Sequence, residues 1–493
     1  MKGQLARGVA WIAATRASVS LIGVVSTVVL ARLLLPQDFG LVAVATTVMA
    51  IVSSVTDISL SSALTQHSEP GEAHYDTAFT LNLIRSVGVT LVTGALAWPV
   101  AKIYNDPRLF NLIVVLAVIS GTIGLTNPKM VIFWRALVFW QEFAIGVSQK
   151  ALGFVAALVV ALVYQSYWAL VVGAVVSQAV SVLLSYVLIP YRPRFDLSKS
   201  GELVSFSIWL TMCQMISTLS YRFDNLFVGY FFGSKLVGFY SYADNMATIV
   251  TREVSSPAAN TFFPAYARLK DETNRLRAAH ARTQSLLFAV ALPVGCGFAM
   301  VARPLVHLAL GDKWLPAIFI MQVIATVSAI QTLGTTEYPL ALALGQTSQL
   351  FYLELKKFVV RLPILAVGLA MGGFAGVVMA RVAAGGILLW LNLAMIQRLL
   401  GKPISEQITS NTRPLVAVGG MAIVLATWQA FMSPPSAWPW EVADLTAQIV
   451  LGAMTYCLVT CFAWFLFGRP QGVEQEALAM LSEWRRRRIN EPT

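Results

Sequence analysis

The chain has 493 residues, of which 57% are hydrophobic and only 12% charged, with a formal net charge of +11 and a mean hydropathy of +0.70. Soluble proteins carry about 25% charged residues, so the charges here are too few to coat the roughly three soluble domains that the length would suggest. The composition excludes a soluble enzyme, a disulfide-stapled secreted scaffold and a disordered chain, and points to an all-α polytopic membrane protein.

A membrane-crossing helix needs about 20 mostly apolar residues. Apolar runs bounded by polar breaks predict about fourteen such helices. Their spans are 9–33, 40–64, 78–101, 109–128, 143–164, 167–189, 203–231, 236–262, 284–303, 315–335, 355–372, 375–397, 413–432 and 445–467. The first is not a cleaved signal peptide: it is too long, carries Arg16 and precedes no small-residue cleavage site. Lys and Arg gather in alternate connections, among them Arg192, Arg194, Arg268, Lys270 and the run Arg485 to Arg488. That asymmetry puts both termini in the cytoplasm and explains the net charge without a nucleic-acid partner. The inner stretch 264–283 reads as an amphipathic interfacial helix, and the tail 472–489 resembles it with a basic end.

No cofactor or metal is expected. Cys213, Cys296, Cys457 and Cys461 all sit in apolar runs, where a thiol is a packing residue. His67, His74, His280 and His307 show no ligand spacing, and no GxxxxGK[ST] loop occurs.

A weak internal repeat emerges at a shift of 198 residues. Trp11 falls on Trp209, Gly40 on Gly238, Ala45 on Ala243 and Val52 on Val250. Six helices separate the copies, so both have the same orientation, as in transporters with parallel repeats. The expected organisation is an N-terminal six-helix bundle over 1–200, a pseudo-symmetric second bundle over 201–400, and a helix pair with a basic tail over 401–493. Gly368, Gly372 and Gly376 straddle the turn between the eleventh and twelfth spans and suit a tight reversal.

A charge at mid-bilayer costs about 2.5–3.5 kcal/mol on insertion scales. It persists by facing water, by pairing, or by snorkelling. Arg16, Asp57 and Arg85 lie about 10–12 Å in from the cytoplasmic helix ends, and Arg252 about 15 Å. Asn82 shares a helix face with Arg85, and Gln214 is the repeat counterpart of Arg16. Arginine matches phosphate oxygens bidentately and stays charged when desolvated. The group therefore suits a vestibule for a diphosphate head, with Arg16, Asn82, Arg85, Gln214 and Arg252 as ligands. Asp57, Asp224 and Glu253 would be charge partners or ion-coupling groups. The plainer alternatives are that Arg16 and Arg85 snorkel and that Asp57, and Glu253 beside Arg252, only neutralise. Arg222 and Asp224 cannot share a helix face. Arg381 is expected to anchor at the outer interface, and Lys356 with Lys357 to mark the inner membrane edge.

Four segments carry a family resemblance: ARLLLPQDFGLVAVATT (31–47), DISLSSAL (57–64), NPKMVIFWRALVF (127–139) and RFDNLFVGYFFGSKLVGFYSYA (222–243). They resemble Wzx-type polysaccharide transporters of the multidrug/oligosaccharidyl-lipid/polysaccharide exporter superfamily, in the colanic-acid and succinoglycan branch. The resemblance covers about residues 5–470. It implies a flippase, not an enzyme, that moves undecaprenyl-diphosphate-linked oligosaccharide units across the bacterial inner membrane for exopolysaccharide or lipopolysaccharide biosynthesis. It also implies alternating access through a central cationic cavity, an ion gradient as a possible drive, and a polysaccharide polymerase and chain-length or export machinery as partners.

Two alternatives stand beside it. A multidrug cation antiporter of the same superfamily needs an acidic cavity, whereas these residues are net basic. A membrane-embedded polysaccharide polymerase needs a catalytic constellation, yet the outer loops are short and no DxD-like pair stands at a membrane edge.

Overall fold

The computed structural model describes residues 2–56, 60, 64–65, 70–136, 138–201, 208–432 and 438–466, and among these the regular structure is helical. Among the described residues ten helices are long and apolar enough to cross a membrane, or eleven if the bent pair Arg108–Ile123 and Pro128–Arg135 forms one span. One of the ten, Thr347–Leu400, is itself broken at Gly372 and Gly373, and Ile208–Leu269 is broken at Gly233. The result is a multi-pass, all-α membrane architecture compatible with about fourteen spans.

The chain divides into two compact units, Met1–Ser241 and Tyr242–Thr493. The first contains α1 (Lys2–Leu33), α2 (Pro36–Val55), α3 (Glu72–Ile103), α4 (Arg108–Ile123), α5 (Trp140–Tyr164), α6 (Trp168–Leu188), α7 (208–232) and the first turns of α8 (234–269). Here α1 packs on α5, α5 on α6, and α3 on α4.

The LLLPQDFG stretch sets the start of α2. Pro36 supplies a preset φ at the first helical position, and the buried Asp38 carboxylate accepts from the Leu35 N–H at 3.0 Å. Two residues on, Gly40 meets α8 backbone to backbone. A Cβ on Gly40 would collide with the Ser234 carbonyl, and one on Gly238 with the Pro36 carbonyl. Pro36 falls on Ser234 and Gly40 on Gly238 under the same 198-residue shift. The contact is thus reciprocal between repeat-related residues, a local pseudo-two-fold crossing that tolerates only hydrogen side chains.

The second unit holds the rest of α8, α9 (Thr273–Met300), α10 (Ala317–Gln331, continued by Glu337–Ala343), α11 (347–371), α12 (374–400), α13 (Thr412–Phe431) and α14 (Trp438–Leu466). Tyr266, Phe288, Leu292, Leu333, Leu393 and Met421 form part of its core. The reversal between α11 and α12 falls at Gly372–Gly373, where Gly368 and Gly376 leave no room for a Cβ against each other's backbone.

Several expectations are corrected. Arg381 does not anchor at an interface: its guanidinium pairs with Asp244 at 3.2 Å, with side chains 11% and 12% exposed. A carboxylate within reach in the same unit solvates it more cheaply than a stretch to the headgroups. Lys356 and Lys357 are not equivalent: Lys357 is buried against Glu354 and Glu337, while its neighbour Lys356 is exposed. A step of one residue turns a helix by about 100°, so the two point to different surroundings. The stretch 264–283 is not a separate interfacial helix; it is the end of α8, a short turn and the start of α9, which begins at Thr273. Cys213 and Cys296 are buried as expected, but Cys457 and Cys461 are exposed on α14, a helix with much of its surface outward. Asp57 and the tail 472–489 lie outside the described residues.

Two outcomes follow. Gly40→Ala and Gly238→Ala should each lower the thermal unfolding midpoint of the detergent-purified protein, by an overpacking cost of about 1–3 kcal/mol. Gly88→Ala, which meets open space, should leave it level or raise it slightly. Arg381→Ala should cost about 3–5 kcal/mol by stranding Asp244, and replacing both residues with apolar ones should recover most of that loss.

Candidate functional site

The predicted vestibule residues of the first unit are held by different helices. Arg85, half-buried on α3, donates from Nε to Thr56 Oγ1 and from a terminal nitrogen to the Ser53 carbonyl, both at 3.4 Å. These acceptors close the C-terminal end of α2, where orphan carbonyls and the negative end of the helix dipole favour a cation. Asn82 is half-buried one turn earlier on α3.

Arg16 lies on α1, against a different neighbour. Trp11 meets Phe143 edge-on at 5.2 Å between centroids, and Gly146 faces Thr15 and Val19. This register brings Arg16 within electrostatic reach of Glu142 in the first turn of α5. Arg16 remains exposed, as does Gln214 on α7. Sequence reasoning missed Lys150, which is also exposed. It follows Phe143 by two turns on the same α5 stripe, about one turn further along the helix than the Arg16 level. The signal was present as a lone lysine inside the apolar run 143–164.

The other predicted partners divide. Asp224 is buried, and its Oδ2 accepts from Tyr240 Oη at 2.6 Å, tying α7 to α8 across the Gly233 break. Tyr104 Oη adds a bond to the Leu226 carbonyl at 2.8 Å, so this end of α7 is held from two sides. Arg222 sits over the Tyr221 ring at 5.7 Å. The side chains of Arg252 and Glu253 lie outside the described ones.

The NPK segment has an architectural part. Asn127 Oδ1 accepts from the Lys129 N–H at 2.9 Å, while its Nδ2 donates to the Ser185 and Ile189 carbonyls at 3.1 and 2.8 Å. Lys129 pairs with Glu72 at 2.7 Å and lies over the rings of Tyr75 and Tyr191. Tyr191, beyond the end of α6, donates to Asp76 at 2.6 Å. Burial and that bond push its phenol above the ordinary range.

The second unit contains a charge cluster that the sequence reading passed over. Lys357 on α11 contacts Glu354 at 2.7 Å and Glu337 at 3.3 Å, with side chains 9%, 15% and 8% exposed in that order. Arg361, also buried, follows one turn along α11. Glu354, Lys357 and Arg361 are spaced three and four apart, the helical signal that would have found them.

The comparisons extend over most of the chain. A model of the family described as polysaccharide biosynthesis protein matches residues 29–319. The lipopolysaccharide biosynthesis protein WzxC of Escherichia coli K12 is 24% identical over 82% of this chain and 83% of its own. The succinoglycan biosynthesis transport protein ExoT of Rhizobium meliloti 1021 is 23% identical over 92% of each. Among solved structures, the lipid II flippase MurJ in an inward closed conformation superposes with a TM-score of 0.71 at 12% identity, covering 93% of this chain and 99% of that one; at that identity the likeness is one of fold. With more than half its length matched by the family model, the chain belongs to the polysaccharide biosynthesis protein family.

Proposed function

We propose that this chain is a flippase that carries oligosaccharide units, joined to undecaprenol through a diphosphate, from the cytoplasmic to the outer leaflet of the bacterial inner membrane. The family, the relatives named for lipopolysaccharide and succinoglycan biosynthesis, and the shared fold of a lipid II flippase support this class of cargo. The observation that carries the reading to residues is the exposure of Arg16 in α1, within the candidate membrane span Ala10–Leu33 of the first unit.

An exposed guanidinium in such a span is stable only against water or an anion. A lipid-linked sugar has the converse problem, because its hydroxyls and diphosphate would lose their hydrogen bonds in hydrocarbon. A wet cationic cavity answers both needs while the polyprenyl tail stays in lipid. Arg16, Arg85 and Lys150 would hold the diphosphate, with Asn82, Gln214 and Arg252 as further polar contacts. Their placement near the cytoplasmic ends follows from termini on that side, and alternation of the lobes 1–200 and 201–400 would expose the head to either leaflet in turn. The products would pass to a polysaccharide polymerase and its export machinery.

Arg16→Ala and Arg85→Ala should each reduce surface polysaccharide in a complemented deletion strain by roughly 10-fold or more, the loss of a charge-assisted contact worth about 1.5–3 kcal/mol. Immunoblots should show unchanged protein. Arg16→Lys should retain part of the activity, since charge survives while the bidentate fork is lost. Normal polysaccharide in both alanine variants would refute the vestibule.

A further inference from the structure

The Glu337–Lys357–Glu354 cluster has more carboxylate than it can neutralise. One ammonium serves two acids, at 3.3 and 2.7 Å. Glu337 is buried, and its second oxygen, Oε2, has no hydrogen-bond partner. Glu337 meets Lys357 as an attracting charge and Glu354 as a repelling one. Arg361 lies one turn further along α11, and His280 of α9 hydrogen-bonds the neighbouring Thr336, at 3.0 Å. A fully ionised triad would thus hold one surplus negative charge in a dry setting, which costs several kcal/mol. A single proton removes it.

We propose that Glu337 is a proton-binding site of the second unit, reversibly neutralised while the Lys357–Glu354 pair stays ionised. A metal ion suits the geometry less well, because the Lys357 ammonium already stands between the two carboxylates. Among the described residues no group of three or more His, Cys, Asp or Glu side chains could hold one. Glu354 is the wetter of the two acids and lies about two turns into α11, so a proton entering from that end of the helix would reach Glu337 past it. Only one proton moves and no covalent bond to carbon changes. If the flippase reading holds, this step couples the proton gradient to transport: protonated Glu337 makes the cluster neutral, and deprotonated Glu337 charges it, so the two forms favour different packings of α10 and α11.

The test uses the full chain in nanodiscs. Infrared titration of the wild type should show a protonated-carboxyl carbonyl band that fades as pH rises. Glu337→Gln should remove that band, and Lys357→Met, which takes away the only ammonium, should enlarge it. A band unchanged in Glu337→Gln, or one that sodium ions abolish at fixed pH, overturns the site. If Glu337→Gln fails to fold, the Lys357→Met result alone decides, and an unaltered band there is equally fatal. Proteoliposomes loaded with undecaprenyl diphosphate then read coupling. A pH gradient should stimulate wild-type translocation, and Glu337→Gln should lose that stimulation while keeping gradient-free exchange. Stimulation that survives in Glu337→Gln overturns the coupling role. Failure of the wild type to move the lipid at all would count against the flippase reading and leave the infrared result standing.

Discussion

Hydrocarbon cannot solvate an ion, and the arrangement of this protein follows from how each charge in its helices meets that constraint. Three solutions occur. Arg381 is sealed against Asp244, and Lys357 against Glu354 and Glu337. Arg85 is laid on the carbonyl-rich end of α2. Arg16 and Lys150 are left exposed. The first solution fixes helices to one another, the second fixes a helix end, and the third leaves a charged side chain at the surface of its unit.

The helices must also come close enough for such pairs to form, and here small residues matter as much as charges. At the Gly40–Gly238 crossing two backbones touch, and the contacting residues are related by the repeat. The two aligned stretches meet there through matching surfaces, as in an isologous contact. That accounts for much of the LLLPQDFG and FFGSKLVG segments. Their Pro, Asp and Gly start helices and let them cross, so the most recognisable stretches of the sequence are architectural.

The fold class was legible in the sequence because hydropathy and its interruptions are local. The 198-residue register is local in the same sense, and two glycines that it aligns, Gly40 and Gly238, lie at one crossing. The fate of individual charges was less so. Asp244 and Arg381 are far apart in the chain and meet only through packing, so nothing near Arg381 distinguished a sealed partner from an interfacial anchor. Lys356 and Lys357 looked equivalent as a pair, although one step around the helix separates an exposed residue from a buried one. Asp38 could have been read as a further buried charge, but it is spent on the Leu35 N–H. Depth along a span ranks candidates; the rotational face decides among them, and that face depends on neighbours.

These fates also separate two tasks. Transport of an anionic head needs cations whose charge can be met by the cargo and released again. A cation already locked to a carboxylate would have to break that pair first, at a cost of several kcal/mol on every cycle. Arg16 and Lys150 are exposed and so accessible to a cargo. An energy-coupling group has the opposite requirement. It must be dry enough that its charge state changes the stability of the packing around it, and close enough to water to exchange a proton. Glu337 behind Glu354 meets both conditions, whereas an exposed carboxylate would titrate without consequence. In the proposed cycle, the exposed arginine and lysine of one unit would serve cargo recognition and the buried acid of the other the drive.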